Sequence, residues 1–204
     1  VGPLSRRLGP SQFELDEIKF LVYYGEPAPY SDTQEIFMEL IPTAQNTYLE
    51  TGIWTIRLVP GKITNGKYDM WLPAGEALGS ETGFNDSTPL GTFTIPSSAE
   101  KVISVGAYDA RTDSLAAFSG RGMEVKGTPA IHKPTLVAPG VNILTTAPGG
   151  GYSSRSGTSM ATPFVSGSCA ILMEWGIIRG NDPYLYGQKV KAYLIKGAGR
   201  LSGY

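Results

Sequence analysis

Residues 156–167 constrain this chain more than any other stretch. They run Ser156-Gly157-Thr158-Ser159-Met160-Ala161-Thr162-Pro163-Phe164-Val165-Ser166-Gly167, a polar, glycine-containing approach that passes directly into an apolar segment. That segment, residues 164–175, is long enough for about three helical turns at ~1.5 Å per residue. Ser159 is therefore expected at or next to a helix start, where free backbone N–H groups and the positive end of the helix dipole point outward. Such a place holds an anion that forms during a reaction. Pro163 is tolerated there, because first-turn N–H groups have no intrahelical acceptor to lose. Taken by itself, Ser159 would read as an N-cap serine, among the most favoured helix starters.

The whole string tips the reading toward chemistry. Gly157 to Pro163 resembles the nucleophile motif of the subtilisin-like serine proteases (subtilases), in which Gly-Thr-Ser-Met-Ala-x-Pro surrounds the attacking serine. The resemblance spreads along the chain. "VISVGAYD" (102–109), "AAFSGRG" (116–122) and "KPTLVAPGVNI" (133–143) look like segments that precede the serine in that family, and residues 164–175 look like its central helix. It implies that Ser159 is the nucleophile and that its backbone N–H forms half of an oxyanion hole. Thr158 would support that hole, with Gly157 and Met160 beside the nucleophile. Residues 174–198 are also similar to the C-terminal region of the clostridial Csp germination proteases, which carry a jelly-roll-like insert before the serine-bearing segment. From that likeness a secreted or spore-associated location is expected.

Composition removes several other classes. A chain of 204 residues with a formal net charge of −1 shows no basic excess for nucleic acid or an anionic membrane surface. Its single cysteine, Cys169, forms no internal disulfide and falls in the apolar segment, where a buried inert thiol is expected. No apolar run approaches the ~20 residues of a membrane span. The 26 glycines, roughly twice the usual ~7% share, suit tight turns and close backbone approaches. The sequence opens on Val1 with no charged-then-apolar leader, as expected of a piece of a longer protein.

Residues 1–10 read as a tail. Residues 13–24 have a β-rich second half, broken by Gly25-Glu26-Pro27-Ala28-Pro29, and residues 34–41 fit strand or helix. Trp54, Ile56 and Leu58 alternate along one expected strand, and Tyr68, Met70 and Leu72 along another, with the tight-turn signal Asn65-Gly66 between them. Short alternating strands predict an antiparallel β-sandwich over 1–78. Trp54, Tyr68 and Trp71 are expected in its core rather than on a carbohydrate-binding face. The adjacent acids Asp16 and Glu17 read as a solvated stretch. Beyond that, residues 102–108 form an apolar run expected of a strand covered on both faces. Residues 188–194 read as a short helix with Val190, Tyr193 and Leu194 on one face and a glycine stop at Gly197.

The predicted fold is thus α/β: the C-terminal part of a subtilisin-like parallel-sheet domain over 79–204, preceded by a jelly-roll-like antiparallel segment, 1–78. A serine hydroxyl needs a base, itself oriented by a third group, and in subtilisin the order along the chain is Asp, His, Ser. The one histidine, His132, lacks the His-Gly-Thr context of the family's base and is expected to be a connector residue. No Asp-Thr/Ser-Gly segment or Ala-Ala-Gly-Asn-like oxyanion segment is present. The chain is therefore expected to be inactive alone and to need the missing N-terminal part of the same domain, with protein or peptide as substrate. A helix separated from half its sheet also invites self-association. The competing reading is a pseudoprotease that binds or senses a partner. A lipase is disfavoured because residues 157–161 are not Gly-x-Ser-x-Gly. No cofactor or metal site is expected: subtilases often hold structural Ca²⁺, but no dense Asp/Asn cage stands here, and Asn181 and Asp182 read as turn residues.

Overall fold

The computed structural model describes residues 8–15, 17–27, 29, 33–43, 49, 51–59, 61–63, 65–73, 78–79, 81–122 and 133–201. It divides into two compact units, Val1–Met70 and Trp71–Tyr204.

The first unit is built on an antiparallel meander, β1 (Gly9–Leu15), β2 (Ile18–Tyr24) and β3 (Ile36–Pro42), in the order β1-β2-β3. The period of two shows most plainly in β2, where Ile18, Phe20 and Val22 are buried on one face. The register sets Phe13 opposite Phe20, and the two rings stack at 4.8 Å. Residues 9 and 10, read from sequence as tail, open β1 instead, since pairing with β2 satisfies their backbone. Of the acidic pair, Asp16 lies outside the described residues. Glu17 is exposed, and its carbonyl accepts the Thr43 N–H at 2.8 Å.

The two strands expected between residues 54 and 72 are not formed among the described residues. Trp54, Tyr68 and Trp71 are largely exposed rather than in a core. Alternation makes a strand only where a partner edge accepts its hydrogen bonds and a facing layer covers its apolar side, and neither is described here. Trp54 does meet Phe20 edge-on at 6.0 Å, and the turn signal at Asn65 is real: its side chain accepts the Lys67 N–H at 3.1 Å.

The second unit is mixed α/β. Its central sheet has the order β5-β4-β6, with β4 (Val105–Asp109) parallel to β6 (Leu136–Pro139) and antiparallel to the short β5 (Ser114–Leu115). A separate hairpin joins β7 (Ile143–Thr146) to β8 (Tyr152–Arg155) through three glycines, Gly149, Gly150 and Gly151, all with positive φ. Helix α1 (Thr158–Met173) packs on β4 and β6. The contact is made by small residues: Ala107, Ala116, Ala138, Ala161 and Val165 form the buried cluster, with Ile103, Leu136, Cys169 and Leu194 around it. Cys169 is half-buried, and burial pushes its thiol pKa up, the expected mark of an unreactive cysteine.

Helix α1 continues through a π-helical turn, Glu174–Ile178, and α2 (Gly187–Gly197) follows. The uninterrupted helical stretch Thr158–Ile178 has 21 residues and is long and apolar enough to cross a membrane. Sequence reading missed this because helical hydrogen bonding carries past the apolar run at both ends. A core helix of a layered domain has the same composition, and its inner face here is the one against β4 and β6. In α2, Val190 is buried, Leu194 joins the core, and Tyr193 meets Trp175 edge-on at 6.2 Å. Gly197 is the last helical residue rather than a left-handed stop, and the chain leaves through Ala198 in extended conformation.

Candidate active site

Ser159 is the second residue of α1, whose cap, Gly157, makes no side-chain capping bond. The backbone accounts for the geometry. The Gly157 carbonyl accepts N–H bonds from Met160 at 3.0 Å and Ala161 at 3.4 Å, closing the first turn. The Gly157 N–H donates to the Gly140 carbonyl at 2.8 Å, which anchors the helix start to the residue after β6. Ser159 itself is exposed, and among the described residues neither its N–H nor its hydroxyl has a hydrogen-bond partner. Ser159 thus presents its hydroxyl and its N–H together at the positive end of a 16-residue helix, a position that favours negative charge.

Thr158 and Met160 flank it, both half-buried. The Thr158 carbonyl accepts the Thr162 hydroxyl at 2.9 Å. Pro163 stands inside the helix, not in its first turn as the sequence suggested, because α1 begins at Thr158. Having no N–H, Pro163 cannot donate to the Ser159 carbonyl, so the turn behind Ser159 lacks one ladder bond.

Sequence reasoning missed the support beneath the serine. The Ser156 hydroxyl accepts the Asn142 N–H at 2.9 Å, and Asn142 holds a left-handed φ of 53°. With the Gly157–Gly140 bond, this ties residues 156–157 to residues 140–142 at two points. The signal was present as "APGVN", but a glycine before a turn does not announce its partner.

His132, the only histidine, lies outside the described residues. Among the described residues no group of three His, Cys, Asp or Glu side chains is placed to hold a metal ion. Asn181 and Asp182 act structurally. Asn181 donates to the Trp175 carbonyl at 2.8 Å, while Asp182 accepts from Lys189 at 2.6 Å and from the Tyr193 hydroxyl at 3.3 Å.

Comparison with known proteins places the chain in a family. The sequence model of the Subtilase family matches residues 76–203. The chain belongs to the subtilase family. Among curated subtilases, it is 39% identical over 125 residues to the thermophilic serine proteinase of Bacillus sp. (strain AK1), covering 61% of this chain and 27% of that protein. It is 35% identical over 126 residues to the serine protease AprX of Bacillus subtilis (strain 168), covering 52% of this chain and 26% of AprX. Among solved structures, that of the Clostridium perfringens CspB protease is similar over the whole of this chain and 42% of its own, with 37% identity and a TM-score of 0.72. This subtilase chain thus spans about a quarter of the curated relatives and under half of the structural one. The mixed α/β architecture, with its antiparallel sheet and its sheet containing a parallel pair, is similar to the subtilisin-like fold of CspB.

Proposed function

We propose that this chain is the serine-bearing part of a subtilisin-like endopeptidase, with Ser159 as the nucleophile and the Ser159 N–H as one oxyanion donor. The observation that carries the reading is that, among the described residues, the hydroxyl and N–H of Ser159 have no partner in the first turn of α1, inside the family match. Residues 79–204 would be the peptidase portion and residues 1–78 the insert. Since the relatives extend far beyond the matched region, the base, its orienting acid and the second oxyanion donor are assigned to the remainder of the same domain. In the reaction, a base removes the Ser159 proton as Oγ attacks the scissile carbonyl. The negative oxygen then settles against the Ser159 N–H, and the base returns the proton to the leaving amine as the C–N bond breaks. Water, activated by the same base, then hydrolyses the acyl-serine ester to free the carboxylic acid and Ser159. The chain alone, without a base, is inactive. The likeness of residues 174–198 to germination-type proteases supports a processing role in a secreted or spore-associated setting.

The test is a fluorophosphonate probe. In the whole protease it labels Ser159, and Ser159→Ala removes labelling and turnover, the latter by roughly 10⁶-fold as in subtilisin. The isolated chain is not labelled. A whole protein that binds its partner yet labels nowhere and turns over nothing is instead a pseudoprotease.

A further inference from the structure

Gly140 touches the start of α1 in two ways. Its carbonyl accepts the Gly157 N–H at 2.8 Å, and its α-hydrogen side faces the Gly157 carbonyl. A Cβ at position 140 would stand 2.9 Å from that oxygen and 2.6 Å from the Ala107 Cβ on β4. The backbone at Gly140 does not adopt positive φ, so torsion permits a side chain there; space alone forbids it. Two neighbours claim that space, and they mean different things. Ala107 is a fully buried core residue. The Gly157 carbonyl is the acceptor that closes the first turn of α1 through Met160 and Ala161.

We propose that Gly140 is a positioning residue for the nucleophile: the missing side chain lets residue 157 sit against the end of β6, and this sets where Ser159 stands relative to the sheet. The proposal rests on the reading of Ser159 as nucleophile. Pushing the Gly157 oxygen tilts the turn that aims the Ser159 N–H and hydroxyl. Geometry at a reacting centre is unforgiving, since a misplacement of about 1 Å can lower the rate by ~100-fold.

The two contacts can be separated in the whole protease by moving one methyl group. Gly140→Ala alone meets both neighbours and lowers Tm and kcat. Gly140→Ala combined with Ala107→Gly returns the methyl volume to the core and relieves that collision, leaving only the one with the Gly157 oxygen. The expected result is a Tm restored to near wild type, with kcat still reduced by roughly tenfold and KM unchanged. Ala107→Gly alone lowers Tm and leaves kcat as it was. Full recovery of kcat along with Tm in the double variant overturns the proposal and makes Gly140 a packing residue only. Should Ser159→Ala leave turnover intact, the nucleophile reading itself fails. The crystal structure of the double variant then decides separately: a shift of the Ser159 backbone nitrogen against β4 supports positioning, and an unmoved nitrogen overturns it.

Discussion

Lys189 donates to Asp182 at 2.6 Å, binding the first turn of α2 to the loop that leaves the π-helical end of α1. The Lys189 hydrogen bond is the main cause that holds the Asp182 carboxyl below its ordinary pKa, with smaller help from the charge of Lys189 and the Tyr193 hydroxyl. A carboxylate lowered on folding adds stability above its unfolded pKa and loses it as pH falls through the folded value. Stability should therefore decline on the acid side, below the ordinary aspartate range. Replacing Lys189 with Met returns Asp182 toward that range and flattens the decline. Thermal unfolding followed from pH 2 to 6 (roughly the carboxylate window) checks this, and an unchanged profile in the variant contradicts it.

Two lysines converge on one turn. Lys133 donates to the Ala99 and Val102 carbonyls at 2.7 and 3.3 Å, and Lys191 to those of Glu100 and Val102 at 2.9 and 3.2 Å. Partial burial lowers the Lys133 pKa, and the Lys191 charge lowers it further. For a lysine depressed on folding, the charged form is the less favoured one in the native state. Its effect on stability is relieved as pH rises from the folded pKa to the ordinary lysine value. Lys191→Met should raise the Lys133 pKa, since it removes the second cause and leaves the first. An NMR titration of the Lys133 ammonium reads this directly, and a fall would contradict it.

The alanines beneath α1 leave no room for growth. Ala161 has no exposed surface and packs in the cluster with Ala107 and Ala138. Ala161→Leu should destabilise the protease by about 1–3 kcal/mol through overpacking. Denaturant unfolding of the whole protein measures it. A change well under that range would mean that the helix lifts off the sheet without resistance.

Met160, next to Ser159, is half-buried. Peroxide should convert its thioether to a polar sulfoxide and lower turnover, and Met160→Leu should remove that sensitivity. Mass spectrometry of the treated protein locates the oxygen. If turnover survives complete oxidation at Met160, the residue does not crowd the reacting centre.

The serine-bearing turn was legible in the sequence because it is contiguous. Glycine, a short polar run and an apolar segment lie within a dozen residues, and helix initiation depends on just such neighbours. The meander of β1 to β3 was half legible: the break after Tyr24 was plain, while the nearly continuous apolar run of β3 fitted either period. What residues 156 and 157 rest on was not legible, because Asn142 and Ser156 stand fourteen positions apart and their bond exists only once β6 and α1 are in place.

By itself, then, the amino-acid sequence determined the family resemblance and the local punctuation: the serine-bearing string, the Asn65 turn and the helix that follows Ser159. Only the tertiary structure decided that α1 begins at Thr158 and carries Pro163 in its interior, that Trp54, Tyr68 and Trp71 stay exposed, and that Gly140 packs against Gly157 at the helix start. Torsions and caps are settled by adjacent residues, whereas burial and strand pairing depend on which distant segment supplies the other surface.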